Sequence, residues 1–280
     1  MAMAIRKVKE LTKAHLEAHV RVSLASRAGL IVLDAIIEER EKDDDLARQM
    51  NFVITSAGDP TPHVEKLKKA GLIHAHVCAS VYHARKAESA GVDVIIASGH
   101  EGGGHVGRDP VHSMVLLPAV VDSVSRPVVA SGGFCDGRTL VCALALGAKG
   151  VQMGTRFIAT EESEFHKNYK EAILRAEDRD SVVTLGYLGD IRFLKNPYII
   201  ERKRRVDERW PVEELREDYA RKRGLAAGDG DVINGPVIAG EVAGRIKSIE
   251  KVERLIEGIV SEAMETIRVM HEVYIRSNRE

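Results

Sequence analysis

Ser98-Gly99-His100-Glu101-Gly102-Gly103-Gly104-His105 follows a short apolar run at 92–97, and two comparable turns come later, Ser131-Gly132-Gly133 and Gln152-Met153-Gly154-Thr155. Three successive runs rich in β-branched residues therefore end in polar, glycine-rich turns. In a parallel α/β sheet such turns collect at the carboxyl ends of the strands, where binding sites form. Backbone donors unobstructed by Cβ, with one histidine among them, read as a phosphate grip beside a reactive imidazole.

Outward from these turns, apolar runs at 19–25, 51–56, 73–79, 92–97, 127–130 and 150–157 alternate with helical stretches. That alternation predicts βαβ units on a parallel sheet, and near-continuous apolar character suits strands covered on both faces. Ala70-Gly71, Ala90-Gly91 and Ala148-Lys149-Gly150 each close a helix just before the next strand. Glycine takes a left-handed cap at little cost. The repetition favours a TIM-type (β/α)8 barrel over a doubly wound sheet. Only six strand–helix units can be counted before Thr160, so the barrel is expected to be incomplete at its N-terminal side.

The remaining sequence predicts a helix over 162–176, an irregular section containing Pro197, and a helix opening near Pro211. Turn-rich residues 224–236 read as a lid or connecting loop. A last helix from about Ser248 would carry Val252, Leu255, Ile256, Ile259, Ala263, Ile267 and Met270 on one face. That stripe is expected to pack on the barrel wall, with a subunit contact, and so a homo-oligomer, as the alternative. The chain is accordingly read as one domain over 1–280, with barrel units over 1–160 and a helical extension and lid over 161–280.

Composition bounds the function. With 280 residues, 44% hydrophobic and 30% charged, the chain has material for a large core, and a net charge of -1 gives no global attraction to nucleic acid or anionic lipid. The densest basic run, Arg202-Lys203-Arg204-Arg205, lies among Glu201, Asp207 and Glu208 and is expected to be a solvated face. Cys78, Cys135 and Cys142 form neither a CxxC pair nor an even set, which suits a reducing compartment. The first ten residues hold no apolar leader, and no apolar run reaches the roughly 20 residues a membrane span needs. A cytoplasmic location without membrane partners is expected.

Three chemistries compete for the histidine-bearing turn. Gly102-Gly103-Gly104-His105-Val106-Gly107 matches G-x-G-x-x-G, but Ser98 to Glu101 intervene after the strand and Pro110 prevents an immediate helix. A metal site from His100, Glu101, His105 and His112 is disfavoured because three glycines cannot supply the rigid helix that H-E-x-x-H requires. The favoured reading lets the glycines lie against a flat cofactor while His105 faces substrate. His100 and Glu101 either orient His105 or cap the turn. At 131–134 and 152–155 the alternatives are a phosphate site, with a further bond from the Thr155 hydroxyl, or simply tight βα turns. Cys135 has no visible activating base.

These turns resemble the nitronate monooxygenase family, formerly called 2-nitropropane dioxygenases. The matching segments are 98–107, Ser131-Gly132-Gly133-Phe134-Cys135-Asp136-Gly137-Arg138 and Gly150-Val151-Gln152-Met153-Gly154-Thr155-Arg156-Phe157, with Ala239-Gly240-Glu241-Val242-Ala243-Gly244-Arg245-Ile246 as a weaker fourth. The resemblance implies a flavin-binding (β/α)8 barrel using FMN and no metal. It implies FMN phosphate at Gly133, Gly154 and Thr155, with Gly132, Gln152 and Met153 alongside, Ser98 and Gly103 near the flavin, and His105 as the catalytic histidine. The implied reaction oxidises an alkyl nitronate with dioxygen to a carbonyl compound and nitrite. Flavin-dependent enoyl-acyl-carrier-protein and quinone reductases, which take electrons from NAD(P)H, share the Gly-Gly-His turn and are the alternative. A non-catalytic family member is a second alternative. The chain lacks the family's first strand with its Ala-Pro-Met turn and its second strand, in agreement with the six-strand count. Ser98 stands where many relatives carry glutamine.

Overall fold

The computed structural model describes residues 16–21 and 27–276. In chain order its elements are β1 (Leu16–Arg21), α1 (Arg27–Glu41), α2 (Asp44–Gln49), β2 (Met50–Ser56), α3 (Thr61–Lys69), β3 (Ile73–Cys78), α4 (Val81–Ala90), β4 (Val94–Ser98), β5 (Gly104–His105), α5 (Ser113–Val121), β6 (Val128–Ser131), α6 (Gly137–Ala145) and β7 (Gly150–Gln152). There follow α7 (Thr155–Ile158), α8 (Lys167–Arg175), β8 (Ser181–Leu185), β9 (Asp190–Leu194), α9 (Pro197–Asp207), α10 (Val212–Lys222) and α11 (Val252–His271). Strands stand at all six expected positions, although residues 22–25 of the first expectation lie outside the described residues and the last, expected over 150–157, ends at Gln152, where the glycine turn leads into α7.

Two compact units divide the chain, Met1–Ala97 with Ala119–Val129 and Ser98–Pro118 with Ala130–Glu280. In the first, β1 to β4 pair in sequence order and in parallel. Side chains alternate across such strands. Val53 faces a helix-covered layer with Leu33, Ile36, Leu46, Met50, Leu67 and Leu72. Its neighbour Ile54 joins Ala75 and Ile96 on the opposite face. Gly71 and Gly91, at φ +67° and +94°, end α3 and α4 as their sequence positions predict. For α6 the left-handed residue is Gly147, at +96°, while Gly150 already belongs to β7.

A polar cluster interrupts the helix-side layer. Thr55 Oγ1 lies 2.7 Å from both His74 Nε2 and His76 Nδ1, and all three residues are buried. Burial pushes both imidazoles down to about 4. Neutral rings sharing one hydroxyl satisfy most of their polar atoms, but His74 Nδ1 has no hydrogen-bond partner among the described residues.

The second unit contains what composition failed to disclose. The section around Pro197 is an antiparallel hairpin, β8 with β9, whose outer neighbour is the two-residue strand β5, and Pro197 is the first residue of α9. Ile191, Phe193, Tyr198, Ile199 and Tyr219 form its core. Arg202 belongs to this interior and not to a solvated face. It is 1% exposed and donates to Leu185 O at 2.6 Å and Leu215 O at 2.8 Å. Lys203 and Arg204 do remain at the surface, paired with Asp207 and with Glu201 and Glu208.

α11 starts at Val252, later than expected, and buries only Leu255 and Ala263 of the predicted stripe. Contact with α6 is close, since a Cβ on Gly137 would stand 2.5 Å from Ala263 N. Ile256, Ile267 and Met270 stay nearly half exposed. Among the described residues no helix is long and apolar enough to cross a membrane.

Candidate active site

All residues expected at the site lie in the second unit, and its backbone hydrogen bonds draw their turns together. Gly99 N donates to Ser131 O at 2.9 Å, which joins the turn after β4 to the end of β6. Gly132, at φ +82°, lets the two turns touch, because a Cβ there would stand 2.7 Å from Gly99 O. The Glu101 carboxylate accepts from Ser113 N at 2.9 and 3.0 Å and from Ser113 Oγ at 3.1 Å. Ser113 Oγ also lies 2.6 Å from Gly132 O, the shortest of the contacts that share its single hydrogen. The Glu101 carboxylate thus caps the first residue of α5.

The segment Ala239-Gly240-Glu241 closes the arrangement. Glu241 N donates to Glu101 O at 3.0 Å, and Gly240 N donates to Thr155 Oγ1 at 2.9 Å. A Cβ on Gly103 would stand 2.6 Å from Gly240 N, and one on Gly240 would stand 2.8 Å from Glu101 O. The turns after β4 and β7 are therefore tied together through this segment, whose glycines serve backbone-to-backbone approach.

The glycines thus separate into two groups. Gly103 and Gly132 are filled in by neighbouring main chain. Gly154 has nothing within 4 Å of where its Cβ would be, and Gly133, at φ +87°, has only the Glu101 side chain at 3.7 Å. Gly133 and Gly154 follow adjacent strands β6 and β7. Buried Thr155 accepts from Gly240 through its oxygen, which keeps its hydrogen available for donation. Open space beside paired glycine turns, with an oriented hydroxyl, fits a phosphate group. Gln152 and Met153 are half-buried next to it, as is Ser98 at the end of β4.

A paired substitution distinguishes these groups. Gly103→Ala forces two backbones apart and is expected to cost about 1–3 kcal/mol, read from the denaturation midpoint. Gly154→Ala meets no atom and is expected to stay within about 1 kcal/mol of the parent while weakening retention of a phosphate-bearing cofactor.

His105 reaches the site on a strand and not on a loop. β5 pairs antiparallel with β9, Gly104 opposite Arg192 and His105 opposite Ile191, and Val106 N adds a bond to Asp190 O at 3.1 Å. The His105 side is exposed at the end of this small sheet. His100 is held differently: its Nδ1 is 3.1 Å from Arg192 Nη2. Arginine can only donate, so Nδ1 accepts and the ring proton sits on Nε2. Burial, then Arg192 and His112, lower the His100 pKa, and its ring meets His112 edge-on at 5.5 Å. His100 is a fixed neutral imidazole. Cys135 is buried, and burial followed by Asp136 raises its pKa, which removes thiolate character.

Comparison with known proteins agrees with this geometry. The family profile described as nitronate monooxygenase matches residues 1–262. The chain is 31% identical, over 94% of its length and 82% of the relative's, to (3aS,4S,5R,7aS)-5-hydroxy-7a-methyl-1-oxo-octahydro-1H-indene-4-carboxyl-CoA dehydrogenase of Rhodococcus jostii (strain RHA1). A probable nitronate monooxygenase of Staphylococcus saprophyticus is 37% identical over 59% of this chain, a match that spans 50% of that relative. Among solved structures, FabK from Thermotoga maritima superposes with a TM-score of 0.86 at 34% identity, covering 97% of this chain and 83% of that one. The parallel strand–helix series seen here is the incomplete form of a (β/α)8 barrel. By its profile match and its similarity along almost its whole length, the chain belongs to the nitronate monooxygenase family and is an oxidoreductase of flavin type.

Proposed function

We propose that the protein binds FMN and oxidises alkyl nitronates with dioxygen, releasing a carbonyl compound and nitrite. The observation that supports this reading is that the turn leading to His105 is tied to the glycine turns after β6 and β7, by Gly99 N donating to Ser131 O and by the packing of Gly103 on Gly240, whose N–H donates to Thr155 Oγ1. In it, Gly133, Gly154 and the Thr155 hydroxyl hold the FMN phosphate, while Ser98, Gln152 and Met153 lie along the ring system. Gly103 and Gly132 shape the wall by letting the main chains close. When bound, the flavin supplies the electron acceptor and the means of passing electrons to dioxygen.

His105 supplies what the flavin does not. The imidazole takes the α-proton from a neutral nitroalkane, or in its protonated form holds the negative oxygens of a preformed nitronate. Pairing of Gly104 and His105 with β9 fixes the backbone that carries it, so the ring is presented with less orientational freedom than a loop would leave.

A second reading rests on the two long, near-full-length similarities. One relative is a dehydrogenase of a carboxyl-CoA substrate, and FabK is an enoyl reductase. Under it the same turns hold FMN, electrons come from NAD(P)H, and His105 delivers or holds a proton on an unsaturated thioester. Oxygen uptake with nitrite release on adding the nitronate of nitroethane supports the first reading. NAD(P)H oxidation dependent on an enoyl thioester, without nitrite formation from nitronate, replaces it with the second.

A further inference from the structure

We infer that Arg192 is a positioning residue for His105, an inference that rests on the reading of His105 as the reacting imidazole. Arg192 is 5% exposed and lies in the middle of β9, opposite Gly104 on one side and Val183 on the other. Through its backbone strand it defines where Gly104 and His105 run. Through its side chain it holds the opposite end of the same loop. Nε and Nη2 donate to His100 O at 3.1 and 2.9 Å, and Nη2 donates to His100 Nδ1. The fork is completed by Nη1, which donates to Ser181 Oγ at 2.9 Å and pairs with Glu241 at 3.0 Å.

Arg192 thus holds the six-residue span from His100 to His105 at both ends, His100 through its side chain and Gly104, next to His105, by strand pairing. Between those ends lie three consecutive glycines, whose backbone would otherwise sample many conformations. Planar guanidinium geometry is what permits a carbonyl, an imidazole nitrogen, a hydroxyl and a carboxylate to be held at once. An ammonium is a point charge on a flexible stem and cannot span that set. Glu241 supplies the counter-charge that a buried guanidinium needs, and its own N–H is fixed to Glu101 O. The catalytic loop, the hairpin and the 239–241 segment therefore share one cationic anchor.

The test compares Arg192→Met, Arg192→Lys and His105→Ala with the parent as FMN-loaded full-length proteins, using the nitronate of nitroethane as probe. Two quantities are read: kcat and KM, and amide hydrogen exchange of peptides covering 99–107 against those covering 150–160. Faster exchange confined to 99–107 in both Arg192 variants is expected, with kcat lowered roughly 10- to 100-fold and KM changed far less. Lysine is expected not to rescue kcat. Unchanged exchange at 99–107, or parental kcat in Arg192→Met while His105→Ala is inactive, overturns the inference and leaves the His105 reading standing. Parental kcat in His105→Ala overturns the His105 reading, and with it the catalytic part of this inference, whereas the exchange data still report whether Arg192 orders the loop. Should Arg192→Met fail to fold, Arg192→Lys, which retains the charge, carries the same two readouts.

Discussion

Replacing His105 with alanine is expected to lower kcat with nitronate by about 10²- to 10⁴-fold, the range over which a positioned acid or base contributes. The exposed position makes the loss specific. No core cavity is left, and the backbone pairing of Gly104 with Arg192 and His105 with Ile191 does not need the imidazole. Flavin retention and the unfolding midpoint are therefore expected to stay near parental values. Stopped-flow reduction by nitroethane nitronate measures the step directly. A His105→Ala protein reduced at the parental rate would remove the histidine from the chemistry. With neutral nitroethane in place of nitronate, the deficit is expected to be greater, because proton abstraction is then also required.

Acid is expected to destabilise the first unit well above the pH at which carboxylates titrate. Its cause is the buried pair His74 and His76, both held near 4 by burial, against about 6.5 in an unfolded chain. A group whose folded pKa is depressed binds fewer protons folded than unfolded, so stability falls as pH drops below the unfolded value and continues to fall until the folded value is reached. Between pH 6.5 and 5 the loss is roughly 2 kcal/mol per imidazole at 1.36 kcal/mol per pH. The two rings share Thr55 and repel one another once charged, so their protons enter in two steps that belong to the pair. Urea unfolding at pH 7 and pH 5, followed by hydrogen exchange in β2 and β3, measures it. His76→Gln is expected to reduce the pH dependence by about half. An equal urea midpoint at both pH values would show that the imidazoles are not buried neutral in solution.

Strands such as β2, β4 and β6 were legible because each is a compact apolar run rich in β-branched residues and bounded by turn residues. β8 and β9 escaped notice because each carries polar residues, Thr184 and Arg192, that are satisfied or buried only by tertiary contacts. β5 is two residues long, and its partner lies more than 80 positions downstream, so no local pattern could disclose it. Arg202 was misread for a related reason. A run of four basic residues looks solvated, yet helical spacing turns its first member inward, where it donates to the Leu185 and Leu215 carbonyls.

At the site, residue types were more legible than their duties. The triple-glycine turn marks close approach, but composition cannot distinguish approach of a cofactor from approach of another main chain. Gly103 meets Gly240, whereas Gly154 meets open space. Glu101 and His100 stand side by side in sequence and act on different partners, Ser113 and Arg192. The Gly240-Glu241 segment was visible through family resemblance alone, and Arg192 had no sequence signal beyond its charge.

The most direct measurement is the absorbance spectrum of the protein after incubation with FMN and desalting, followed by anaerobic addition of nitroethane nitronate or, separately, NADH. The expected result is a retained flavin band that nitronate bleaches and NADH leaves in place. A band bleached by NADH and unaffected by nitronate, or no retained flavin at all, would contradict nitronate oxidation at this site.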